Sequence, residues 1–270
     1  MKIKLLAVDI DETSVNSKHK MTKPTEEALN QAIEKGVIVV PVTGRCLEGL
    51  PAPYRKMDLS YMITSNGAKV YDWGRQKVIS RHLIPNDIAC QVLKLCEKKK
   101  VMTAIHTEGK CYDETKLLKA VRRISYSGDF KPHEQIPDLY HWVQESGKPL
   151  EKIQLFSFDV SLLETIKEEL SVYEMLELAL STSGYIEITQ KDAQKGLALE
   201  HLCTYLQIPM EQVMAIGDNA NDLSMLSRVG LPVAMGNAKE EVKEIAKFVT
   251  ASNNEDGVAK AIKTYILDEG

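Results

Sequence analysis

The run Leu5-Leu6-Ala7-Val8-Asp9-Ile10-Asp11 is apolar until it closes on two aspartates at i and i+2. On a β-strand that spacing puts both carboxylates on one face. Like charges there repel, and burying either is costly unless something positive sits between them. An ordinary acidic turn at the end of a strand is the competing reading. Three other stretches carry polar groups that bear on the choice. Val42-Thr43-Gly44-Arg45 offers a hydroxyl and then a glycine that lets backbone N–H groups approach an anion. Gln194-Lys195-Gly196 offers an ammonium, and Gly217-Asp218-Asn219-Ala220-Asn221-Asp222 adds two more carboxylates.

Taken together, these residues suit phosphoryl transfer. Asp9, Asp11 and Asp218 would enclose a hard cation that prefers oxygen ligands, for which Mg²⁺ is the expectation. Thr43, the Gly44 amide and Lys195 would surround the oxygens of a phosphoryl group, where catalysis is mostly positioning and charge neutralisation. Singly, each has an ordinary explanation. Thr43 is a β-branched strand residue, Lys195 a first-turn lysine, and Asp218 and Asp222 are acids near a helix start, where the dipole favours them. Their joint placement outweighs those explanations.

That placement depends on the elements. Residues 3–10, 37–42 and 61–64 are continuous apolar strands, with a helix expected at 24–35 between the first two. The last third repeats the rhythm: a helix over 193–206, strands at 213–216, 231–234 and 248–250, and helices near 223–228, 240–247 and from Gly257. Strands apolar on both faces and separated by helices imply a parallel α/β sheet covered on each side. In such a sheet ligands bind beyond the carboxyl ends of the strands, where all four polar stretches fall. Between about 84 and 187 the texture changes. A helix at 86–99 is followed by strand-like runs at 101–107 and 110–112, an irregular proline-bearing segment at 131–149, a strand at 153–160, a helix at 162–170 and strands at 176–180 and 185–188. Helices beside hairpin-like strand pairs suggest an inserted α+β module.

Composition narrows the function class. The 270 residues are 44% apolar and 27% charged with a net charge of −4, and no basic surface for nucleic acid stands out. Lys98-Lys99-Lys100 closes a helix, where cations complement the dipole. Five cysteines without a C-x-x-C pair argue against a disulfide framework and fit a reducing cytoplasm. No signal peptide or membrane span is expected. The six histidines lack metal-ligand spacing, and no G-x-S-x-G, G-x-x-x-x-G-K or G-x-G-x-x-G occurs. Arg45 is expected in a surface or inter-domain ion pair. Arg122, Arg123, Lys131 and Tyr140 could meet the far end of a substrate, with solvent exposure the default reading.

The ordered motifs D-I-D-E-T, V-T-G-R, Q-K-G and G-D-N-A-N-D, with S-N-G-A at 65–68 and N-E-D-G-V-A at 254–259, resemble the haloacid dehalogenase (HAD) superfamily. The match is to its Cof-type phosphatases with an α/β cap. The resemblance implies a Rossmann-like core from residues 1–84 and 188–270 and a cap at 85–187 that sets specificity. It further implies that Asp9 is the nucleophile, forming an aspartyl-phosphate, and that Asp11 protonates the leaving alcohol and then deprotonates water. Thr43 and Lys195 would bind the phosphoryl group, with Gly44 and Asn221 contacting phosphate or substrate. Mg²⁺ would be held by Asp9, the Asp11 carbonyl and Asp218, with Asp222 holding a metal-bound water. The expected activity is hydrolysis of a small phosphorylated metabolite, a sugar phosphate or a phosphorylated cofactor. A phosphosugar mutase and a non-catalytic metal- and phosphate-binding regulatory module are the alternatives. The sequence departs from the family at Glu12, where many relatives have glycine, and at Ser14, where an aliphatic residue is common. Glu12 leads us to expect a backbone outside the left-handed region there. Oligomeric state is not legible.

Overall fold

A computed structural model describes residues 2–116, 134–181 and 184–268. The first third contains β1 (Leu5–Val8), a helix at Lys23–Glu34, β2 (Ile38–Pro41), a short helix at Ala52–Lys56, β3 (Tyr61–Thr64), β4 (Lys69–Asp72) and β5 (Lys77–Arg81). The middle holds a helix at Asn86–Lys99, then β6 (Met102–Thr107), β7 (Lys110–Asp113) and β8 (Glu134–Gln135). A helix at Leu139–Ser146, β9 (Lys152–Phe156), a helix at Val160–Leu170, β10 (Leu176–Ser181) and β11 (Tyr185–Gln190) complete it. The last third runs through a helix at Lys195–Leu206, β12 (Val213–Gly217), a short helix at Leu223–Leu226 and β13 (Leu231–Ala234). It ends with a helix at Glu240–Ile245, β14 (Phe248–Val249) and a helix at Gly257–Ile262.

β1 is wholly buried and sits inside a parallel sheet ordered β14-β13-β12-β1-β2. A strand flanked on both sides and covered on both faces has no polar side to offer, which is why Leu5–Val8 is unbroken apolar sequence. The register aligns Val8 with Ile216 on β12 and with Pro41 on β2. Asp9, Gly217 and Val42 therefore leave the sheet side by side. The Asp9 N–H donates to the Ile216 carbonyl at 3.0 Å, and the Val42 N–H to the Val8 carbonyl at 2.9 Å. Pro24 enters the first helix, and the Thr22 hydroxyl caps it by accepting from the Thr25 N–H.

Two expectations are corrected. β3 touches the parallel sheet through a Val42–Ile63 bridge, but it then pairs antiparallel with β4, and β4 with β5. The polar, short sequences of β4 and β5 hid that meander. The segment expected to be irregular contains the helix Leu139–Ser146, capped by the Asp138 carboxylate accepting from the His141 N–H at 2.9 Å.

A second sheet is ordered β10-β11-β9-β6-β7-β8. Alternation gives it two unlike faces. Ile105, Ile153, Leu155, Ile186 and Ile188 pack with residues of the helices at Asn86–Lys99, Leu139–Ser146 and Val160–Leu170 into a hydrophobic core separate from that of the parallel sheet. The other face carries Lys152 opposite His106 and Gln154 opposite Glu187. Tyr140 is half-buried against the second core, whereas Arg122, Arg123 and Lys131 lie outside the described residues. None of the five cysteines forms a disulfide. Among the described residues no helix is long and apolar enough to cross a membrane.

Candidate active site

Lys195, the first residue of its helix, is 1% exposed. The helix lies close to the following one: a Cβ on Gly196 would stand 2.0 Å from the Ser224 carbonyl oxygen. Lys195 is thereby drawn inward. Its Nζ donates to Asp9 Oδ1 and to Asp222 Oδ1, each at 2.6 Å. Asp222 is fully buried, and its Oδ2 accepts the Asp218 N–H at 2.9 Å and the Asn219 N–H at 3.1 Å. This carboxylate ties the ammonium to the loop after β12. Gly217 makes room for it, since a Cβ there would lie 2.6 Å from the Asp222 carboxyl carbon. Oxygens of Asp9, Asp218 and Asp222 all lie within 4.8 Å of one another.

So many buried carboxylates shift one another's protonation. Burial pushes the Asp9 carboxyl well above its usual range; the Lys195 ammonium opposes the rise, and Asp222, Asp218 and Asp11 add to it. Asp218 is pushed up to about 7, by burial first and then by the Asp222 charge. Thr13 works against that rise by donating its hydroxyl to Asp218 Oδ1 at 2.7 Å. Burial disfavours the charged form of Lys195, but Asp222 and Asp9 outweigh it and raise its pKa. Thr13 was not among the expected site residues. Its spacing, four residues after Asp9 in D-I-D-E-T, was the available signal.

The loop after β1 corrects another expectation. Glu12 has φ of 56° and ψ of 8°, squarely in the left-handed region. Side-chain contacts hold it there. Asn237 donates to the Glu12 carbonyl at 2.8 Å, and Asn253 donates to the Glu12 carboxylate at 3.1 Å. Left-handed backbone costs a non-glycine residue about 1–2 kcal/mol, an amount that two such hydrogen bonds offset. The turn brings Asp11 opposite Arg45, whose Nε donates to Oδ2 at 2.9 Å and whose Nη2 donates to Oδ1. Arg45 is thus neither a surface residue nor an inter-domain pair, but a partner of the expected general acid.

Thr43 is fully buried, and its Oγ1 accepts the Arg45 N–H at 3.1 Å. Its carbonyl accepts the Asn66 N–H at 3.0 Å, and the Arg45 carbonyl accepts the Ser65 N–H at 2.8 Å. Ser65, Asn66 and Gly67 all have positive φ, so three consecutive residues of S-N-G are left-handed. The Asn66 amide lies against Gly44, where a Cβ would be 2.8 Å from Oδ1. That oxygen accepts from Asn221 Nδ2 at 3.2 Å. Of the expected residues, Asp9, Lys195, Asp218 and Asp222 form one buried cluster. Thr43, Gly44 and Asn221 form a second group around Asn66, and Asp11 pairs with Arg45.

The donor set suits a hard divalent cation. It consists of carboxylate oxygens, and repulsion plus burial raises the pKa values of Asp9 and Asp218, a strain that a cation beside them would relieve. Asp9 and Asp218 fit that role best, because both Asp222 oxygens already accept hydrogen bonds.

A family model described as haloacid dehalogenase-like hydrolase matches residues 6–262. A 5-amino-6-(5-phospho-D-ribitylamino)uracil phosphatase of Bacillus subtilis is 32% identical over 98% of this chain and 96% of its own length. The crystal structure of a haloacid dehalogenase-like hydrolase from Bacteroides thetaiotaomicron superposes with a TM-score of 0.87 at 25% identity, covering 97% of this chain and 99% of the other. A solved structure described as a HAD subclass IIB sugar phosphatase gives a TM-score of 0.82 at 27% identity, covering 97% of this chain and 98% of that one. The family model over most of the chain, the phosphatase relatives and the superposed structures agree: the chain belongs to the haloacid dehalogenase-like hydrolases of the Cof type and is a phosphatase.

Proposed function

We propose that the protein is a Mg²⁺-dependent hydrolase of a small phosphorylated metabolite, working through an aspartyl-phosphate on Asp9. The observation that carries this reading is Lys195 Nζ, buried and 2.6 Å from both Asp9 and Asp222. It fixes the Asp9 carboxylate and supplies positive charge where a phosphoryl group would arrive.

In the first step an Asp9 oxygen attacks phosphorus and the P–O bond to the alcohol breaks. Asp11 gives the leaving oxygen its proton. In the second step Asp11 takes a proton from water as that water attacks the phosphoryl phosphorus, releasing phosphate and free Asp9. The Thr43 hydroxyl, the Gly44 region and Lys195 hold the phosphoryl oxygens, and Asn221 borders them. Asp9, the Asp11 carbonyl and Asp218 would hold Mg²⁺, while Asp222 orders Lys195 and the Asp218 loop. When bound, the cation supplies charge neutralisation for the carboxylates and the phosphoryl group.

We assign residues 1–84 and 188–270 to the catalytic core and 85–187 to a specificity cap. A hydroxyl-rich leaving group such as a sugar or polyol is the substrate class we favour. The phosphoribityl substrate named for the Bacillus subtilis relative supports that class. Cysteines that form no disulfide and a metabolite substrate suit the cytoplasm. Phosphate release from p-nitrophenyl phosphate tests the reading: it should need Mg²⁺ and vanish in Asp9→Asn. Equal rates for the two proteins would overturn it.

A further inference from the structure

Lys152 is a cap residue by chain position, yet its side chain ends in the core. It is 2% exposed, and its Nζ donates to the Gly44 carbonyl and to Glu187 Oε1, each at 2.7 Å. Glu187 is held further by Gln154 Nε2 at 2.9 Å, and its Oε2 accepts Asn66 Nδ2 at 2.8 Å. The neighbouring residue Glu151 is also buried. It accepts from the Ser65 hydroxyl at 2.9 Å and pairs with Lys69 at 2.8 Å. Consecutive residues at the start of β9 therefore grip both core loops that flank the phosphoryl site.

The Gly44 carbonyl and the Arg45 N–H are two ends of one planar peptide. Lys152 holds one end, and the other end donates to Thr43 Oγ1 at 3.1 Å. A hydroxyl has one proton and two lone pairs. With a lone pair committed to Arg45, the Thr43 proton is left for another acceptor. Glu187 acts similarly on the second loop. By fixing Asn66 Nδ2 it leaves Oδ1 facing Asn221 and the bare Cα of Gly44.

We propose that Lys152, held by Glu187, is a positioning residue for the phosphoryl group: it fixes the Gly44–Arg45 peptide and through it the Thr43 hydroxyl, while Glu187 fixes Asn66 and Asn221. The inference rests on the phosphatase reading of the Asp9 centre. The phosphoryl-binding geometry is complete only when the cap sheet is seated, so a substrate is gripped by a site that the cap itself finishes. Neither residue touches the reacting atoms.

The test uses the Mg²⁺-loaded full chain with p-nitrophenyl phosphate as substrate and inorganic phosphate as competing ligand. Lys152→Met should lower kcat/KM by about 10²-fold and weaken phosphate inhibition about tenfold, the scale of a misplaced group and a lost hydrogen bond to a charge. Lys152→Met/Glu187→Gln removes both charges at nearly constant shape and keeps the test open if the single variant does not fold. It should show the same losses. Lys110→Ala, on the exposed side of the cap, should match wild type. A purely structural role would lower the melting temperature and leave phosphate inhibition of the folded enzyme unchanged, and that result overturns the proposal. Calorimetric binding of inorganic phosphate separates the two readings. Weakened binding in the variants supports the positioning role even if wild type shows no turnover, an outcome that would instead defeat the phosphatase reading.

Discussion

The Arg45 guanidinium lies across both oxygens of the Asp11 carboxylate, with Nε 2.9 Å from Oδ2. Burial pushes the Asp11 carboxyl up, but the hydrogen bonds and charge of Arg45 outweigh it and hold it below the usual range. In the proposed reaction, an Asp11 paired in this way would be ready to accept a proton from water. To protonate a leaving group it must first hold a proton, so a substrate has to loosen the pair. Arg45→Gln should raise the Asp11 pKa and move the basic limb of the kcat/KM profile to higher pH by about one unit, as expected for the loss of a close opposite charge. A pH–rate series on the two proteins measures it. An unmoved limb would show that Asp11 is not the acid.

Lys195 neutralises a cluster that cannot tolerate its loss. Lys195→Met leaves Asp9 and Asp222 buried without their cation, and breaking such a pair costs about 3–5 kcal/mol. Urea titration of the metal-free protein should read that loss, and phosphatase activity should fall to background. Added Mg²⁺ should recover part of the stability but none of the activity.

The raised carboxyls set a pH dependence with a definite sign. Asp9 and Asp218 bind protons more tightly folded than unfolded. Their contribution to the metal-free protein is therefore greatest at low pH and is lost as pH rises through about 7, the Asp218 value. A cation reverses this, because it requires both groups ionised. Mg²⁺ should raise the melting temperature more at pH 8 than at pH 5.5. The reverse order would place the metal elsewhere.

Gly44 is required by close approach. In Gly44→Ala the new methyl would meet Asn66 Oδ1 at 2.8 Å, and Asn66 cannot retreat without releasing Glu187 or Asn221. KM should rise several-fold and stability should fall by about 1–3 kcal/mol, the range of overpacking at a close contact. Steady-state kinetics beside a thermal melt separates the two effects.

How much of this was legible in the sequence follows from which contacts are local to a strand end. The parallel pairing of β1 with β2 and β12 and the meeting of Asp9, Lys195 and Asp218 follow from apolar strands ending in polar motifs. What was hidden depends on side chains that meet across the fold. Arg45 finds Asp11 only once the Glu12 turn is closed, and that turn uses asparagines 225 and 241 residues away. Glu12 defeated a sound propensity rule because those hydrogen bonds offset its strain. Lys152 and Glu187 look like solvent-facing positions on alternating strands. Nothing local to β9 or β11 says that the face they share is pressed against the core.

The most direct measurement of the nucleophile is acid-quench trapping with p-nitrophenyl [32P]phosphate and Mg²⁺. Label should accumulate on the peptide containing Asp9 in Asp11→Asn, where the second step is slowed, and should be absent in Asp9→Asn. Phosphate release with no labelled protein, or label retained after Asp9→Asn, would contradict the aspartyl-phosphate at the centre of this account.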